Sequence, residues 1–349
     1  TGSAGFIGSP LVETLLHLNQ RGGGLDNFAT GHAANLEDVR DNVTAAQRRA
    51  FRFIEGDITE ASDCKRACRG VDYVLHQAAI GSVPRSFANP LATHAANTTG
   101  FLQVLLAARD AKVKRVVYAS SSSVYGDHKA LPKKEAITGK PLSPYAVSKV
   151  VDELYADVFG SGYGQQLVGL RYFNVYGARE QHKAHMASVA FQLFHQYQTT
   201  GQVRLFAASG GYGDGEQRRD FVSVEDVVRA NLFCLDYPDF SGIFNLGTGV
   251  SRSFNDMALA VVNSCRALSE NKPLSLGESQ IQKIIGYFDM PATLAGKYQD
   301  YTQADVGRLR SAGYDREFTT LESGVRRYVD WLMQHMQSNS PKSKRPEPN

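Results

Sequence analysis

The sequence predicts an α/β protein built on a doubly wound parallel sheet, followed by a smaller mixed α/β lobe. Two patterns predict this class: short apolar runs alternate with helical stretches, and glycines spaced G-x-x-G-x-x-G open the chain. Of the 349 residues, 42% are hydrophobic and 21% are charged, which supports a substantial core and argues against global disorder.

The opening glycines, Gly2, Gly5 and Gly8, precede an amphipathic stretch over residues 11–18. Glycines at this spacing let the backbone turn tightly and approach a pyrophosphate at a helix N-terminus, as in Rossmann-like sheets. Such a turn follows a buried strand, and nothing precedes Thr1 in this sequence. We therefore expect the first strand of the sheet to be missing.

Asp26 lies about 20 positions beyond the glycines, where an acidic side chain binds a ribose 2′-hydroxyl. This placement favours NAD, with NADP as the alternative cofactor. The glycine run at residues 22–24, just before Asp26, predicts a short or poorly formed strand.

Further elements follow in regular alternation. Residues 51–58 form a predicted strand ending near Asp57, which is placed to meet an adenine amino group, and residues 71–79 form a strand that closes on small residues. Strands are also predicted at 115–120, 166–174 and 242–249, and helices at 93–110, 145–159 and 321–336.

Tyr145 and Lys149 are four residues apart, so they share one face of a helix. Tyrosine is a poor base at neutral pH, but a lysine ammonium one turn away favours the phenolate. A proton acceptor beside a bound nicotinamide is what the dehydrogenation of an alcohol requires. On spacing alone, a partly exposed helix face explains the pair equally well.

Bulk properties exclude several classes. A net charge of +3 without a dense basic stripe argues against a nucleic-acid partner. The cysteines, at 64, 68, 234 and 265, are too scattered for a disulfide framework or a metal site. No secretory signal or membrane-spanning run is present, so we expect a cytoplasmic protein with no membrane partner.

Taken together, the glycines, Asp26, the serine run at 120–123, the Tyr145/Lys149 pair and residues 171–177 resemble the extended short-chain dehydrogenase/reductase family, which includes the nucleotide-sugar epimerases. Residues 1–170 resemble UDP-N-acetylglucosamine 4-epimerases in the runs at 24–32, 75–86 and 139–145. The remainder is similar to ADP-glycero-manno-heptose 6-epimerases in the runs at 182–191, 219–222 and 296–305. We interpret this pattern as a chimera or a hybrid subfamily.

The resemblance implies four catalytic residues. Ser121 hydrogen-bonds the reacting hydroxyl, Tyr145 is the base, and Lys149 holds the nicotinamide ribose. Lys183 matches a second acid/base of the heptose 6-epimerases, although a solvated loop lysine is the alternative interpretation.

The implied binding residues form two sets. The cofactor set is Gly2, Gly5, Phe6, Ile7, Gly8, Asp26, Asn27, Asp57, Ile58, Gln77, Ala78, Ala79, Asn97, Lys149, Tyr172 and Val175. The substrate set is Ser122, Ser123, Asn174, His185, Gln192, Phe206, Ser209, Arg219 and Tyr298.

The expected activity is epimerisation by transient oxidation of a sugar hydroxyl. An ADP-heptose is favoured over a UDP-N-acetylhexosamine, and an inactive nucleotide-binding protein is the alternative of another class. A 4,6-dehydratase is disfavoured, because Ser122 and Ser123 stand where those enzymes carry an Asp–Glu pair. A homo-oligomer is expected from the family.

The predicted domain organisation has two lobes and a tail. The predicted bounds are 1–175 with 220–250 for the cofactor lobe, 176–219 with 251–336 for the substrate lobe, and 337–349 for a disordered tail.

Overall fold

The structure, a computed structural model, describes residues 1–237, 240–291 and 299–338. The helices are α1 (Gly8–His17), α2 (Ala33–Asn42), α3 (Ala45–Arg49), α4 (Ala61–Cys68), α5 (Val83–Ala88), α6 (Pro90–His94), α7 (Gly100–Asp110), α8 (Pro144–Tyr163), α9 (Val189–Thr200), α10 (Val224–Asp236), α11 (Phe254–Leu268), α12 (Leu276–Ile281), α13 (Gly307–Ser311) and α14 (Leu321–Ser338). The strands are β1 (Gly22–Asp26), β2 (Phe51–Glu55), β3 (Tyr73–His76), β4 (Arg115–Ser121), β5 (Leu167–Tyr172), β6 (Asn174–Tyr176), β7 (Val203–Phe206), β8 (Arg218–Ser223), β9 (Gly242–Leu246), β10 (Ser251–Ser253) and β11 (Ile285–Phe288). A π-helical turn (Ala95–Thr99) joins α6 to α7, and 3-10 turns span Ser122–Tyr125 and Gln181–Met186.

Two parallel ladders form the cofactor lobe, one of order β1-β2 and one of order β3-β4-β5-β9. The first residues of the chain lie between them: Thr1 N donates to Leu75 O at 2.8 Å, and Gly2 N donates to Leu25 O at 2.9 Å. The glycine turn therefore starts between the two ladders, at the carboxyl ends of β1 and β3.

Helices cover both faces of the four-stranded ladder. One face packs Phe101 and Leu105 of α7 with Phe159 of α8, and the other packs Val227 of α10 and Leu309 of α13. Burial on both faces is the arrangement of a doubly wound sheet, so the predicted fold class is confirmed.

The strand predicted to be short or poorly formed is better formed than expected. β1 pairs with β2 along its whole length, from Gly22 to Asp26. A Cβ on Gly24 would lie 2.6 Å from Ser3 Oγ and 2.7 Å from the Phe51 ring. The glycine therefore lets the opening turn pack directly on the strand.

The second lobe has its own core. It combines a mixed sheet of order β10-β8-β6 and a parallel pair of β7 and β11 with helices α9, α11 and α14. Phe194, Met257, Val261 and Tyr328 are buried there. Although β8 pairs within this lobe, α10 and β9 return to the cofactor lobe.

The carboxyl-terminal helix α14 continues to Ser338, past the predicted start of the tail, while residues 339–349 lie outside the described residues. Within the described residues, no helix combines the length and the apolar character needed to cross a bilayer.

Candidate active site

A cleft of about 950 Å³ lies at the carboxyl ends of the parallel strands. Its walls come from the glycine turn, the ends of β1, β3, β4 and β5, the start of α8, and residues 182–183 and 186–189 of the second lobe. This position is where open α/β sheets bind their ligands.

The glycine turn approaches its neighbours too closely for side chains. Gly2 has φ +69°, and a Cβ there would lie 2.6 Å from Ala78 N. A Cβ on Gly8 would lie 1.8 Å from Gly2 O. The N-terminus of α1 is therefore open to the cleft, which suits a pyrophosphate.

Asp26 is held by backbone amides at the end of β1. Its Oδ2 accepts from Ala4 N at 2.9 Å, and its Oδ1 accepts from Phe28 N at 2.8 Å. The carboxylate borders the cleft beside the glycine turn, as a ribose-binding acid requires.

Asp57 also borders the cleft, and its Oδ2 accepts from Asn27 Nδ2 at 2.8 Å. Burial opposes ionisation, but hydrogen bonds from Thr59 and Asn27 hold the pKa of Asp57 below its ordinary value. An anionic acceptor at this position suits an adenine amino group. The glycine turn, Asp26 and Asp57 together fit NAD.

Tyr145 lies in the first turn of α8, and its side chain borders the cleft. Ser143 caps the helix by accepting from Ala146 N at 3.1 Å, and Pro144 occupies the first helical position. Both features fix the start of the helix and therefore the position of the tyrosine.

Lys149 is anchored one turn further along α8. Its Nζ donates to Ala119 O at 2.9 Å and pairs with Asp152 Oδ2 at 3.1 Å. Both charged side chains are almost completely buried, and burial raises the pKa of Asp152 to about 6. Asp152 was not predicted, because its role depends on a contact rather than on a motif.

Ser121 ends β4 and borders the cleft. Its Oγ accepts from Ser123 N at 3.1 Å, which fixes the turn that follows. The neighbouring Ser120 Oγ donates to Glu153 Oε1 at 2.6 Å and ties the strand to α8. Ser122 and Ser123, predicted to bind substrate, are not among the described residues that line the cleft.

Lys183 enters the cleft from the second lobe. Its Nζ lies 3.8 Å from Glu180 Oε2 and 4.7 Å from the ring centroid of Phe6. Burial lowers the pKa of Lys183, and the charge of Glu180 opposes that shift. A partly desolvated lysine facing the same space as Tyr145 can exchange a proton with a bound sugar.

The structure brings all four predicted catalytic residues, and every predicted cofactor residue except Asn97, to the cleft. Asn97 is fully buried behind the wall. Its side chain accepts from Ile80 N at 2.7 Å and donates to Ser148 Oγ at 3.0 Å. It therefore supports the loop after β3 instead of bordering the cofactor space.

Of the predicted substrate residues, Asn174 borders the cleft. Those that the structure places elsewhere are Ser122, Ser123, His185, Gln192, Phe206, Ser209 and Arg219. Arg219 lies just behind the wall, with its guanidinium 5.5 Å from the ring centroid of Phe254, which does line the cleft. Tyr298 lies outside the described residues.

Several lining residues were assigned no role from sequence. They are Thr30, His32, Arg85, His182 and Met186 among others. The His32 and His182 rings stack with centroids 6.2 Å apart, which joins the loop after β1 to the loop of Lys183. His32 and His182 are far apart in the sequence, so no motif spacing predicts their contact. Arg85 was part of a run that resembles the 4-epimerases, and that resemblance was the only available signal.

Fold and cleft together define a dinucleotide-binding enzyme of the Rossmann class. Comparisons with known proteins narrow this class. The profile of the NAD dependent epimerase/dehydratase family matches residues 1–247. The chain belongs to the NAD-dependent epimerase/dehydratase family.

One relative is the ADP-L-glycero-D-manno-heptose-6-epimerase of Thiobacillus denitrificans, which is 41% identical over 343 residues, or 96% of this chain and 98% of that protein. Among solved structures, the UDP-N-acetylglucosamine 4-epimerase of Methanobrevibacter ruminantium, in complex with UDP-N-acetylmuramic acid, matches with TM-score 0.80 and 28% identity, covering 96% of this chain and 97% of that one. The ADP-L-glycero-D-manno-heptose-6-epimerase of Helicobacter pylori matches with TM-score 0.76 and 30% identity, covering 95% of this chain and 94% of that one. The predicted class, an epimerase of nucleotide sugars that uses NAD, is confirmed.

Proposed function

We propose that this epimerase acts on carbon 6 of an ADP-glycero-manno-heptose. One observation carries the proposal: Tyr145 and Lys183 reach the same cleft from different lobes. The heptose 6-epimerase relative of Thiobacillus denitrificans, 41% identical, supports the same substrate.

The C–H bond at the stereocentre is not acidic, so simple deprotonation is a poor route to epimerisation. Bound NAD supplies transient oxidation of the alcohol and its reversal, with no net redox change. Tyr145 accepts the hydroxyl proton, and Ser121 orients that hydroxyl by a hydrogen bond. Lys149, one helical turn from Tyr145, positions the cofactor ribose.

Inversion at carbon 6 requires hydride to return to the opposite face of the carbonyl carbon, and the carbonyl oxygen, which then points away from Tyr145, needs a proton from a second donor. Carbon 6 of a heptose is exocyclic, so its carbonyl turns about a single bond while the ring stays bound. Lys183, on the opposite lobe from Tyr145, donates that proton. A 4-epimerase needs one base only, because the whole sugar reorients.

The second candidate is a UDP-N-acetylglucosamine 4-epimerase. Gly81 and Arg85, from the run that resembles those enzymes, line the cleft. Ser122 and Ser123, from the same resemblance, do not border it, and this absence weakens the candidate within the described residues.

The test is to purify the chain, identify any bound dinucleotide, and measure kcat/KM separately for ADP-glycero-manno-heptose and UDP-N-acetylglucosamine. We expect bound NAD and a clear preference for the heptose. Tyr145→Phe serves as the inactive control, with kcat lower by about 10²–10⁴-fold and the cofactor retained. A preference for UDP-N-acetylglucosamine would support the second candidate. Absence of both cofactor and turnover would contradict the proposed enzymatic function.

We also propose that two copies associate through the outer face of α8. Val147, Leu154 and Val158 form an exposed apolar stripe along this helix, and Leu91 of α6, 81% exposed, lies beside the same face. Contiguous apolar patches of this kind mark interfaces. Sedimentation equilibrium should give a dimer, and the double variant Leu154→Glu/Val158→Glu should give a monomer.

All four cysteines are buried free thiols, which is consistent with a reducing, cytoplasmic location.

A further inference from the structure

Glu180 is a fully buried carboxylate at the base of the loop that carries Lys183. It accepts hydrogen bonds from Ser188 N at 2.6 Å, from Ser188 Oγ at 2.5 Å and from Gly177 N at 3.4 Å. Gly177 precedes the loop, and Ser188 caps α9 directly after it. The carboxylate therefore holds both ends of the loop together.

Lys183 is the counter-ion of this carboxylate. Its Nζ lies 3.8 Å from Glu180 Oε2, and its backbone N donates to Glu180 O at 2.9 Å. The adjacent Arg179 forms ion pairs with two other carboxylates, Glu13 at 2.5 Å and Asp38 at 2.6 Å. Among the described residues, Lys183 is the cation that pairs with Glu180.

Building on the 6-epimerase function proposed above, we propose that Glu180 is the positioning residue of Lys183. Glu180 fixes the loop that places Lys183 in the cleft. Its negative charge also keeps Lys183 protonated, so that the ammonium can donate a proton to the sugar. Glu180 is fully buried and is not among the described residues that line the cleft. It acts only through Lys183.

The surrounding charges agree with this role. Burial lowers the pKa of Lys183 and raises that of Glu180, and each charge offsets the shift of the other. His182 also faces Lys183, and the lysine charge contributes to the lowered pKa of His182 after burial. From α14, Tyr328 lies beside Glu180; burial first, and then the carboxylate, raises its pKa.

Three further groups complete these surroundings. Tyr145 and Lys149 line the same cleft, and His32 stacks on His182. Two other carboxylates, Asp26 and Asp57, line the cleft, and among the described residues Glu180 is the carboxylate that forms an ion pair with Lys183, at 3.8 Å. The negative charge at Lys183 therefore comes from Glu180.

The first test compares pH profiles of kcat for the holoenzyme with ADP-glycero-manno-heptose. Glu180→Gln keeps the shape of the side chain and removes its charge. The alkaline limb, where Lys183 loses its proton, should move to lower pH by about one unit or more, as expected for loss of an opposite charge within ~4–6 Å. Ser188→Ala removes one hydrogen bond to Glu180, together with the cap that Phe191 N forms at α9, and keeps the charge of Glu180, so it should lower kcat and leave the limb in place.

Equal losses of kcat in Glu180→Gln and Ser188→Ala, with unmoved limbs, would overturn the proposal and leave Glu180 a structural role only. If Glu180→Gln fails to fold, Glu180→Asp replaces it. The shorter side chain withdraws the charge from Lys183, so the limb should move in the same direction by a smaller amount. An unmoved limb in that variant would equally overturn the proposal.

The second test needs no turnover and separates this proposal from the proposed function. Lysines carrying ¹³C-methyl groups are titrated by NMR, and Lys183→Arg assigns the Lys183 resonance. The midpoint of Lys183 should fall in Glu180→Gln and stay in place in Ser188→Ala. An unchanged midpoint overturns the positioning role, whereas a wild-type enzyme that titrates as expected but leaves the heptose unchanged overturns the 6-epimerase function alone.

Discussion

The ammonium of Lys183 lies 4.7 Å from the ring centroid of Phe6. Phe6 belongs to the glycine turn of the cofactor lobe, whereas Lys183 belongs to a loop of the substrate lobe. Cation–π contacts of this kind stabilise by about 0.5–2 kcal/mol. The side chain proposed to give a proton to the sugar therefore rests on the wall of the cofactor site.

Lys183→Ala should abolish 6-epimerisation. The variant keeps Tyr145 and Lys149 and loses the proton donor on the opposite face. Any 4-epimerisation of UDP-N-acetylglucosamine by the wild type should remain largely intact, because that reaction needs one base. Turnover of each substrate, followed by NMR, measures the difference. Lys65→Ala, an exposed lysine on α4, is the control and should leave both activities unchanged. Equal loss of both reactions, or of neither, in Lys183→Ala would contradict the assigned role.

Glu153→Ala should destabilise the fold strongly. Glu153 binds Arg171 through two hydrogen bonds of 2.8 and 2.7 Å, and both side chains are buried. Its removal leaves a buried guanidinium unpaired, which costs about 3–5 kcal/mol of unfolding free energy. Urea denaturation measures the loss. The control is Asp157→Ala, at an exposed position on the same helix, which should change the unfolding free energy by less than about 0.5 kcal/mol. Similar losses in the two variants would show that the buried Glu153–Arg171 pair contributes little to stability.

The raised pKa of Asp152 predicts that the unfolding free energy depends on pH. Burial raises its pKa to about 6, so the folded chain binds this proton more tightly than the unfolded chain does. Its contribution to the unfolding free energy therefore falls as the pH rises from about 4 to about 6, and stays constant above that. Asp152→Asn removes this titration.

The measurement is the unfolding free energy of wild type minus that of Asp152→Asn, at several pH values between 4 and 7. This difference should decrease with rising pH, by up to about 3 kcal/mol, and then level off. A difference that is constant across this range would show that the carboxyl is not perturbed in the folded state.

The backbone conformation of Ala184 predicts that a glycine at this position stabilises the protein. Its backbone has φ +48° and ψ −121°, a combination that glycine adopts far more readily than alanine. Strain of this kind costs about 1–3 kcal/mol, more than the roughly 0.5–1 kcal/mol that a glycine costs in chain entropy. Ala184→Gly should therefore raise the melting temperature.

The matched control for this prediction is Ala187→Gly in the same loop. Ala187 has an ordinary φ of −67° and packs against the core of the second lobe, so the substitution relieves no strain, and both chain entropy and lost packing should lower the melting temperature. Calorimetry of both variants provides the test. A lower melting temperature for Ala184→Gly as well would refute the strain at that position.

Local chemistry explains which parts of the site were predictable. The glycine turn, Asp26 and the Tyr145/Lys149 pair depend on short spacings, and each borders the cleft as expected. Their positions follow from one turn or one strand end, so the sequence contains the information directly.

The remaining features depend on contacts between distant segments. The family resemblance implied that Asn97 binds the cofactor, whereas in the structure its side chain binds Ile80 and Ser148. Glu180 sits beside Lys183, yet its burial depends on α9 and α14 closing over it. No spacing rule reveals such burial, because the packing of both lobes creates it.

The most direct measurement is ¹H NMR of one sample that contains the holoenzyme and equal amounts of ADP-D-glycero-D-manno-heptose and UDP-N-acetylglucosamine in D₂O. The proposed 6-epimerase function predicts that the L-glycero epimer accumulates with protium retained at carbon 6, while UDP-N-acetylglucosamine stays unchanged. Accumulation of UDP-N-acetylgalactosamine beside an unchanged heptose would contradict it.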